Sequence, residues 1–189
     1  MYKKYYSLFL EKNKHIQHYA SHSHHFWPDI TREAMIEYWD DSARLVDDKW
    51  GYFFEHKIPR TQAHIAHILN LTNPEQITFA SNTHEFVIRL LSCFQNKKIK
   101  ILTSDSEFYS FDRQINRLLQ LDLVEVVKIS TMPFDNFEQR FIDKCNEINP
   151  DLIFVSQVFF NSGMCLQNLN KLVDEVYNPQ RMIIIDAYH

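Results

Sequence analysis

The sharpest chemical requirement in this chain belongs to Asp186, a carboxylate that directly follows Met182-Ile183-Ile184-Ile185. Consecutive bulky, β-branched residues predict a strand buried on both faces of a parallel sheet, with the acid at its carboxyl end. A carboxylate buried there is costly unless it meets a cation, a set of donors or a metal. His189 follows on the same segment. Ser81-Asn82-Thr83-His84-Glu85 opens a helical pattern in which Asn82 and Glu85 have the spacing of a capping box. A helix starting at a strand's carboxyl end offers N–H groups and a positive dipole end to a phosphate, with the Thr83 hydroxyl beside them. Taken alone, the same residues read more readily as a plain structural cap, since most Asn and Thr caps bind nothing. The stretch from Thr103 to Arg113 carries Phe108, Tyr109 and Phe111, whose rings either stack on a flat ligand or close the core, while Ser106 or Ser110 can donate a hydrogen bond. Ser156 ends a further apolar run.

One ligand answers all of these features. A protonated pyridine nitrogen would satisfy Asp186, and keeping that nitrogen protonated is what makes pyridoxal 5′-phosphate an electron sink. The protein's share of the work is the carboxylate, an aromatic clamp and a phosphate site. Ser110 and Ser156 would add polar contacts at the same edge.

The elements that must position these groups alternate regularly from Gln76 onward. Strands are predicted at Ile77–Ala80, Ile99–Thr103, Val124–Ile129, Leu152–Val155 and Met182–Ile185, with helices near 83–94, 110–121, 135–148 and 166–177. Such alternation means an α/β fold, a three-layer α/β/α arrangement on a mainly parallel sheet with right-handed crossovers. In the 135–148 helix, Phe137, Phe141, Cys145 and Ile148 fall on one face, leaving Glu138, Arg140, Lys144 and Glu147 for solvent. Residues 76–189 are thus expected to form an α/β domain, in one structural unit with an N-terminal segment, 1–75. Within that segment, 1–30 reads as an extended arm with a loop. Thr31 is expected to cap a helix running to about Lys49, with Met35, Tyr38, Trp39, Ala43 and Val46 on one face. A second helix follows Pro59 and ends over Asn70 to Pro74.

Composition narrows the alternatives. At 189 residues with 45% apolar content, the chain is long enough for one sizeable core. A net charge of -4 with scattered Lys and Arg offers no electrostatic footprint for nucleic acid. No apolar stretch has the length of a membrane span or a signal sequence. Cys93, Cys145 and Cys165 are far apart beside apolar patterns, so they read as buried reduced thiols in a cytoplasmic protein. The only glycines, Gly51 and Gly163, cannot build a dinucleotide fingerprint or a phosphate loop, which disfavours a nicotinamide dehydrogenase. His22, His24 and His25 are close enough to bind a transition metal. No Cys or paired carboxylate completes a familiar ligand set, so no metal site is assigned. A non-catalytic binder of a phosphorylated ligand, or of a metal on this histidine arm, is the alternative to an enzyme.

With these residues assembled, the chain from about His22 onward resembles the fold-type-I pyridoxal-phosphate enzymes, specifically the class V aminotransferase superfamily and, within it, kynureninase. Asn82-Thr83 fall where that family binds the cofactor phosphate, and Phe108 falls where kynureninases place the ring that stacks on the pyridine. Ser156 matches a cofactor-contacting serine. Asp186-Ala187-Tyr188-His189 matches the family's Asp-x-x-His element, in which the Asp pairs with the pyridine nitrogen and the His lies beside the cofactor. Cysteine desulfurases and many class V aminotransferases usually carry a His as the stacking residue and a Gln three residues after the Asp, so Phe108 and His189 are both kynureninase-like. Tyr109 and Phe111 stand where kynureninases typically show Pro and Asp, and the segment from His22 to Asp29 replaces their Asn-Gly-Asn-Ser-type stretch. The resemblance implies a homodimeric enzyme of amino-acid metabolism. Its small-molecule substrate would be an amino acid, handled by hydrolytic carbon–carbon cleavage, of kynurenine or a relative, or by transamination. The family's Schiff-base Lys lies downstream of the Asp-x-x-His element, and Lys171 sits on a solvent-facing helical position. The expectation is therefore an N-terminal portion of such an enzyme that does not turn over alone.

Overall fold

The structure, a computed structural model, describes residues 2–19, 25–94 and 97–188. His22, His24 and His189 lie outside the described residues. The chain divides into two compact units, Met1–Phe79 and Ala80–His189.

The first unit is helical. A 3-10 turn, Tyr2–Tyr5, leads to α1 (Ser7–Lys12) and α2 (Asp29–Leu45), and then through Val46–Asp48 to α3 (Lys49–Tyr52), a π-helical turn at Phe53–Lys57, and α4 (Ile58–Ile68). The arm expected over 1–30 is thus partly helical. Asp29 supplies a reason: its carboxylate accepts from the Ser7 N–H at 2.9 Å and the Leu8 N–H at 3.0 Å, donors that the first turn of α1 leaves unpaired. α2 starts at Asp29 and Thr31 does not cap it, since the Thr31 hydroxyl donates to the Pro28 carbonyl at 2.6 Å. It stops short of Lys49 because Val46 takes a φ of 50°, outside helical space. Pro59 lies in the first turn of α4, where its missing N–H leaves no bond unmade. The apolar face expected for α2 covers no core: Met35 and Trp39 are exposed, and Ala66 is the unit's only buried apolar residue among those described.

Ile77–Ala80, expected as the first strand, joins no sheet. The Ile77 N–H donates to the Pro74 carbonyl at 3.1 Å, and the Ile77 carbonyl accepts from the Gln62 side chain at 2.7 Å. Both backbone groups of Ile77 are thus taken up within Met1–Phe79, and the boundary between units falls within the segment.

The second unit is α/β. It contains α5 (Thr83–Leu91), β1 (Ile99–Ser104), α6 (Tyr109–Gln120), β2 (Val124–Ile129), α7 (Phe137–Ile148), β3 (Leu152–Ser156), α8 (Leu169–Val176) and β4 (Met182–Asp186). These match the expected segments to within about three residues at either end. All strand pairs are parallel, in the order β2-β1-β3-β4. The two-residue period of the strands sorts their side chains onto opposite faces. Ile99, Ile101, Leu152 and Phe154 pack with Val87 of α5 and with Phe111 and Ile115 of α6. Leu102, Ile153 and Val155 pack with Phe137, Phe141 and Cys145 of α7 and with Leu172 and Val176 of α8. Helices therefore cover both faces, giving the three-layer α/β fold. β4 is not buried on both faces as expected. It lies outside β3 at the sheet's edge and is half-buried throughout, though Ile183 and Ile185 touch one core and Met182 and Ile184 the other. Of the thiols, all free, only Cys145 is buried. Cys93 is exposed because α5 ends at Leu91 and carries it out of the helical face. No helix among the described residues is long and apolar enough to cross a membrane.

Candidate functional site

The chain runs from β1 outward to β2, then crosses back over β1 to reach β3 and β4. The direction of winding reverses between β1 and β3, so the carboxyl ends of these two strands flank the crevice where open parallel sheets collect ligands. Ser104 ends β1, Ser156 ends β3 and Asp186 ends β4, the last two in register with each other.

Asn82 takes extended backbone and caps α5, its side-chain oxygen accepting from the Glu85 N–H at 3.0 Å. The Glu85 carboxylate reaches back to the Ser81 N–H at 3.1 Å and hydroxyl at 2.7 Å. This reciprocal box holds the Glu85 carboxyl below the usual carboxylate range, chiefly through the Ser81 hydroxyl. The Asn82 oxygen is committed to structure. The N–H groups of Thr83 and His84 are left without intrahelical acceptors, as at any helix start. Thr83 lines a cleft of about 340 Å³ that also contains Phe86, Phe154, Ile184, Asp186 and Tyr188. The start of α5 and the end of β4 thus share one concave surface.

Asp186 is held by its own turn: its Oδ1 accepts from the Tyr188 N–H at 3.1 Å, and its backbone carbonyl from the Gln157 N–H at 2.9 Å. Among the described residues no Lys or Arg is ion-paired with it. Ser156 is buried and its hydroxyl donates to Glu107 at 2.6 Å. Ser110 sits in the first turn of α6, where its buried Oγ finds no hydrogen-bond partner among the described residues, and the same holds for Thr103 Oγ1 at the end of β1. Buried hydroxyls left unpaired are uncommon and costly.

The aromatic stretch after β1 separates into two kinds of ring. Phe111 is buried and stacks on Phe154 with centroids 3.7 Å apart, so it closes the core. Phe108 is partly exposed and packs edge-on against Phe160 at 4.9 Å, beside Tyr109 at 5.6 Å. Neither Phe108 nor Ser110 lines the Thr83–Asp186 cleft. Ser106 is occupied elsewhere, in a network with Asp105, Thr131 and Asn161 that ties together the segments following β1, β2 and β3.

Sequence patterning gives no weight to Glu107, yet it occupies the switch point. Its carboxyl accepts from Ser104 at 2.5 Å and from Ser156 at 2.6 Å. Burial pushes it up to about 7, Asp186 pushes the same way, and the two serine hydroxyls oppose the shift. The available signal was a single acid set between serines and aromatic rings. No group of three or more His, Cys, Asp or Glu among the described residues is placed to hold a metal ion. Of the histidine arm only His25 is described.

No family model matches the sequence, and no curated protein matches it. Among solved structures, a mutant of C-DES with glycine covalently linked to its pyridoxal-phosphate cofactor aligns with a TM-score of 0.69 over 89% of this chain, at 14% identity. The chain spans about half of that structure's length, 46%. The likeness is one of fold, that of a pyridoxal-phosphate enzyme. An anti-anti-sigma factor, PhyR from Bartonella quintana, aligns over 66% of this chain and 45% of its own at 12% identity, with a TM-score of 0.34 that carries no weight.

Proposed function

We propose that the carboxyl edge of this sheet binds pyridoxal 5′-phosphate, and that the chain belongs functionally with kynureninase-like enzymes or class V aminotransferases of amino-acid metabolism. The observation that carries this reading is the shared cleft: the start of α5 at Thr83 and the carboxylate of Asp186 face the same space, in a fold also found in a pyridoxal-phosphate enzyme. The residues present fit the group. Thr83 and the open N–H groups of α5 suit a phosphate, and Asp186, with no cationic partner among the described residues, suits a protonated ring nitrogen. Phe108, Ser156 and His189 are proposed as further cofactor contacts on the strength of the resemblance, and Ser110 as a hydrogen-bond donor from its place in the segment after β1.

In this reading the Thr83 hydroxyl orients the phosphate and Asp186 keeps the ring nitrogen protonated. Ser156, whose proton goes to Glu107, can offer only its lone pairs. Bound there, the cofactor supplies the electron sink for chemistry at the substrate's alpha carbon. Among the described residues no Lys lines the cleft, so we propose that these residues hold the cofactor through non-covalent contacts. A cytoplasmic homodimer acting on kynurenine or a related amino acid is the wider proposal.

Equilibrium dialysis with pyridoxal 5′-phosphate tests the reading. Asp186→Asn is expected to weaken binding by about tenfold or more and Thr83→Ala by a few-fold, as for hydrogen bonds to charged groups. Equal retention of the cofactor by all three proteins would refute it. Borohydride reduction and intact mass should show no adduct at a single Lys. Kynurenine, tested against other amino acids, should be the one that perturbs the bound cofactor's absorbance.

A further inference from the structure

Glu107 brings a second carboxyl to the switch point, and the cofactor contacts do not use it. It bonds Ser104 on β1 and Ser156 on β3, the two strands that flank the crevice, and Ser156 is in register with Asp186 on β4. One carboxyl thereby joins the ends of β1 and β3, next to the end of β4. The charged group acting on it is Asp186, whereas β1 and β3 contribute hydroxyls. Among the described residues no Lys or Arg is ion-paired with either acid. Two carboxyls at one edge with no cation between them resist carrying two negative charges, so the Asp186 charge opposes ionisation of Glu107. Burial is the first cause of the raised titration of Glu107, near 7, and the Asp186 charge adds to it.

We propose that Glu107 and Asp186 form a proton-coupled pair in which Glu107 is the positioning residue: neutral Glu107 holds Ser156 and leaves one negative charge at the edge, and capture of a positive ring nitrogen by Asp186 releases the Glu107 proton to solvent. In the neutral state one of the two serine contacts reverses, the carboxyl O–H donating to a serine oxygen whose own hydrogen turns elsewhere. Capture of the cation cancels the field of Asp186, so the Glu107 O–H bond breaks and no electron is transferred. The identity of the cation rests on the cofactor reading; the coupling does not.

Carboxyl carbon NMR titration of the full chain tests it, with the Glu107 signal assigned by its loss in Glu107→Gln. Glu107 should titrate near neutral pH. In Asp186→Asn its proton affinity should fall about tenfold, the size expected for removing a neighbouring like charge, and in the charge-keeping Asp186→Glu it should stay raised. Pyridoxal 5′-phosphate added to the wild-type chain should lower the midpoint without any substitution. A midpoint that moves neither with Asp186→Asn nor with bound cofactor overturns the pairing, even if the cofactor binds. If the cofactor fails to bind while Asp186→Asn still shifts Glu107, the cofactor reading falls and the pairing stands.

Discussion

Glu107 carries into the folded state a titration that ordinary glutamates lack. Its carboxyl is raised to about 7 by burial and by Asp186, against an ordinary value of 4.5. Between those two pH values the folded chain binds more protons than the unfolded one, so stability falls as pH rises from about 4.5 and levels off above about 7. Urea unfolding across that range should show the wild type losing about 2–3 kcal/mol relative to Glu107→Gln, at about 1.4 kcal/mol for each tenfold change in proton affinity. Parallel pH profiles would mean that the buried carboxyl pays no such penalty. The two phenylalanines after β1 should part company in the same assay. Phe111→Ala, which removes the ring stacked on Phe154, is expected to cost about 3–5 kcal/mol. Phe108→Ala, at a partly exposed ring, should cost about 1 kcal/mol or less.

Among the elements, α5 depends on its first turn. Asn82→Ala removes the acceptor for the Glu85 N–H and should destabilise the second unit by about 1 kcal/mol, with Asn82→Asp close to wild type in thermal melts. In the first unit Asp29 fastens α1 to the start of α2 through the Ser7 and Leu8 amides. The Ser7 hydroxyl is the leading cause of its lowered titration, so this link is present above the ordinary carboxylate range and is lost as pH falls through the lowered value. Amide exchange at Ser7 and Leu8 should accelerate in Asp29→Asn at neutral pH, and unchanged exchange would show that the link holds nothing in place. β2 and β4 have unpaired outer edges among the described residues, which makes them the sheet's points of vulnerability to further strand pairing.

For the molecule as a whole, burial is unequal between the units. Both core clusters lie in Ala80–His189, while Met1–Phe79 buries only Ala66 among its described apolar residues and exposes Trp27, Trp39 and Trp50. Apolar burial is the main favourable term in folding, so a fragment spanning Ala80–His189 should melt cooperatively by circular dichroism and one spanning Met1–Phe79 should not. A cooperative transition in the isolated N-terminal fragment would contradict this division.

The sequence by itself determined the elements whose burial pattern is local. Leu152–Ser156 is a near-continuous apolar run and is buried throughout; Phe137, Phe141 and Cys145 recur at helical spacing and all reach the core. The Asn82–Glu85 cap closes within four residues, so it too was legible. The tertiary structure alone decided whatever depends on segments far apart in the chain. Gln62 takes the Ile77 carbonyl and removes a strand that periodicity predicts. Phe111, not Phe108, meets Phe154. Thr83 and Asp186 come to one cleft, and Glu107 reaches Ser156 from 49 residues away. Periodicity states which face of an element is apolar, but which polar ends meet is set by strand order and by the reversal of winding between β1 and β3, and these exist only once the sheet has assembled.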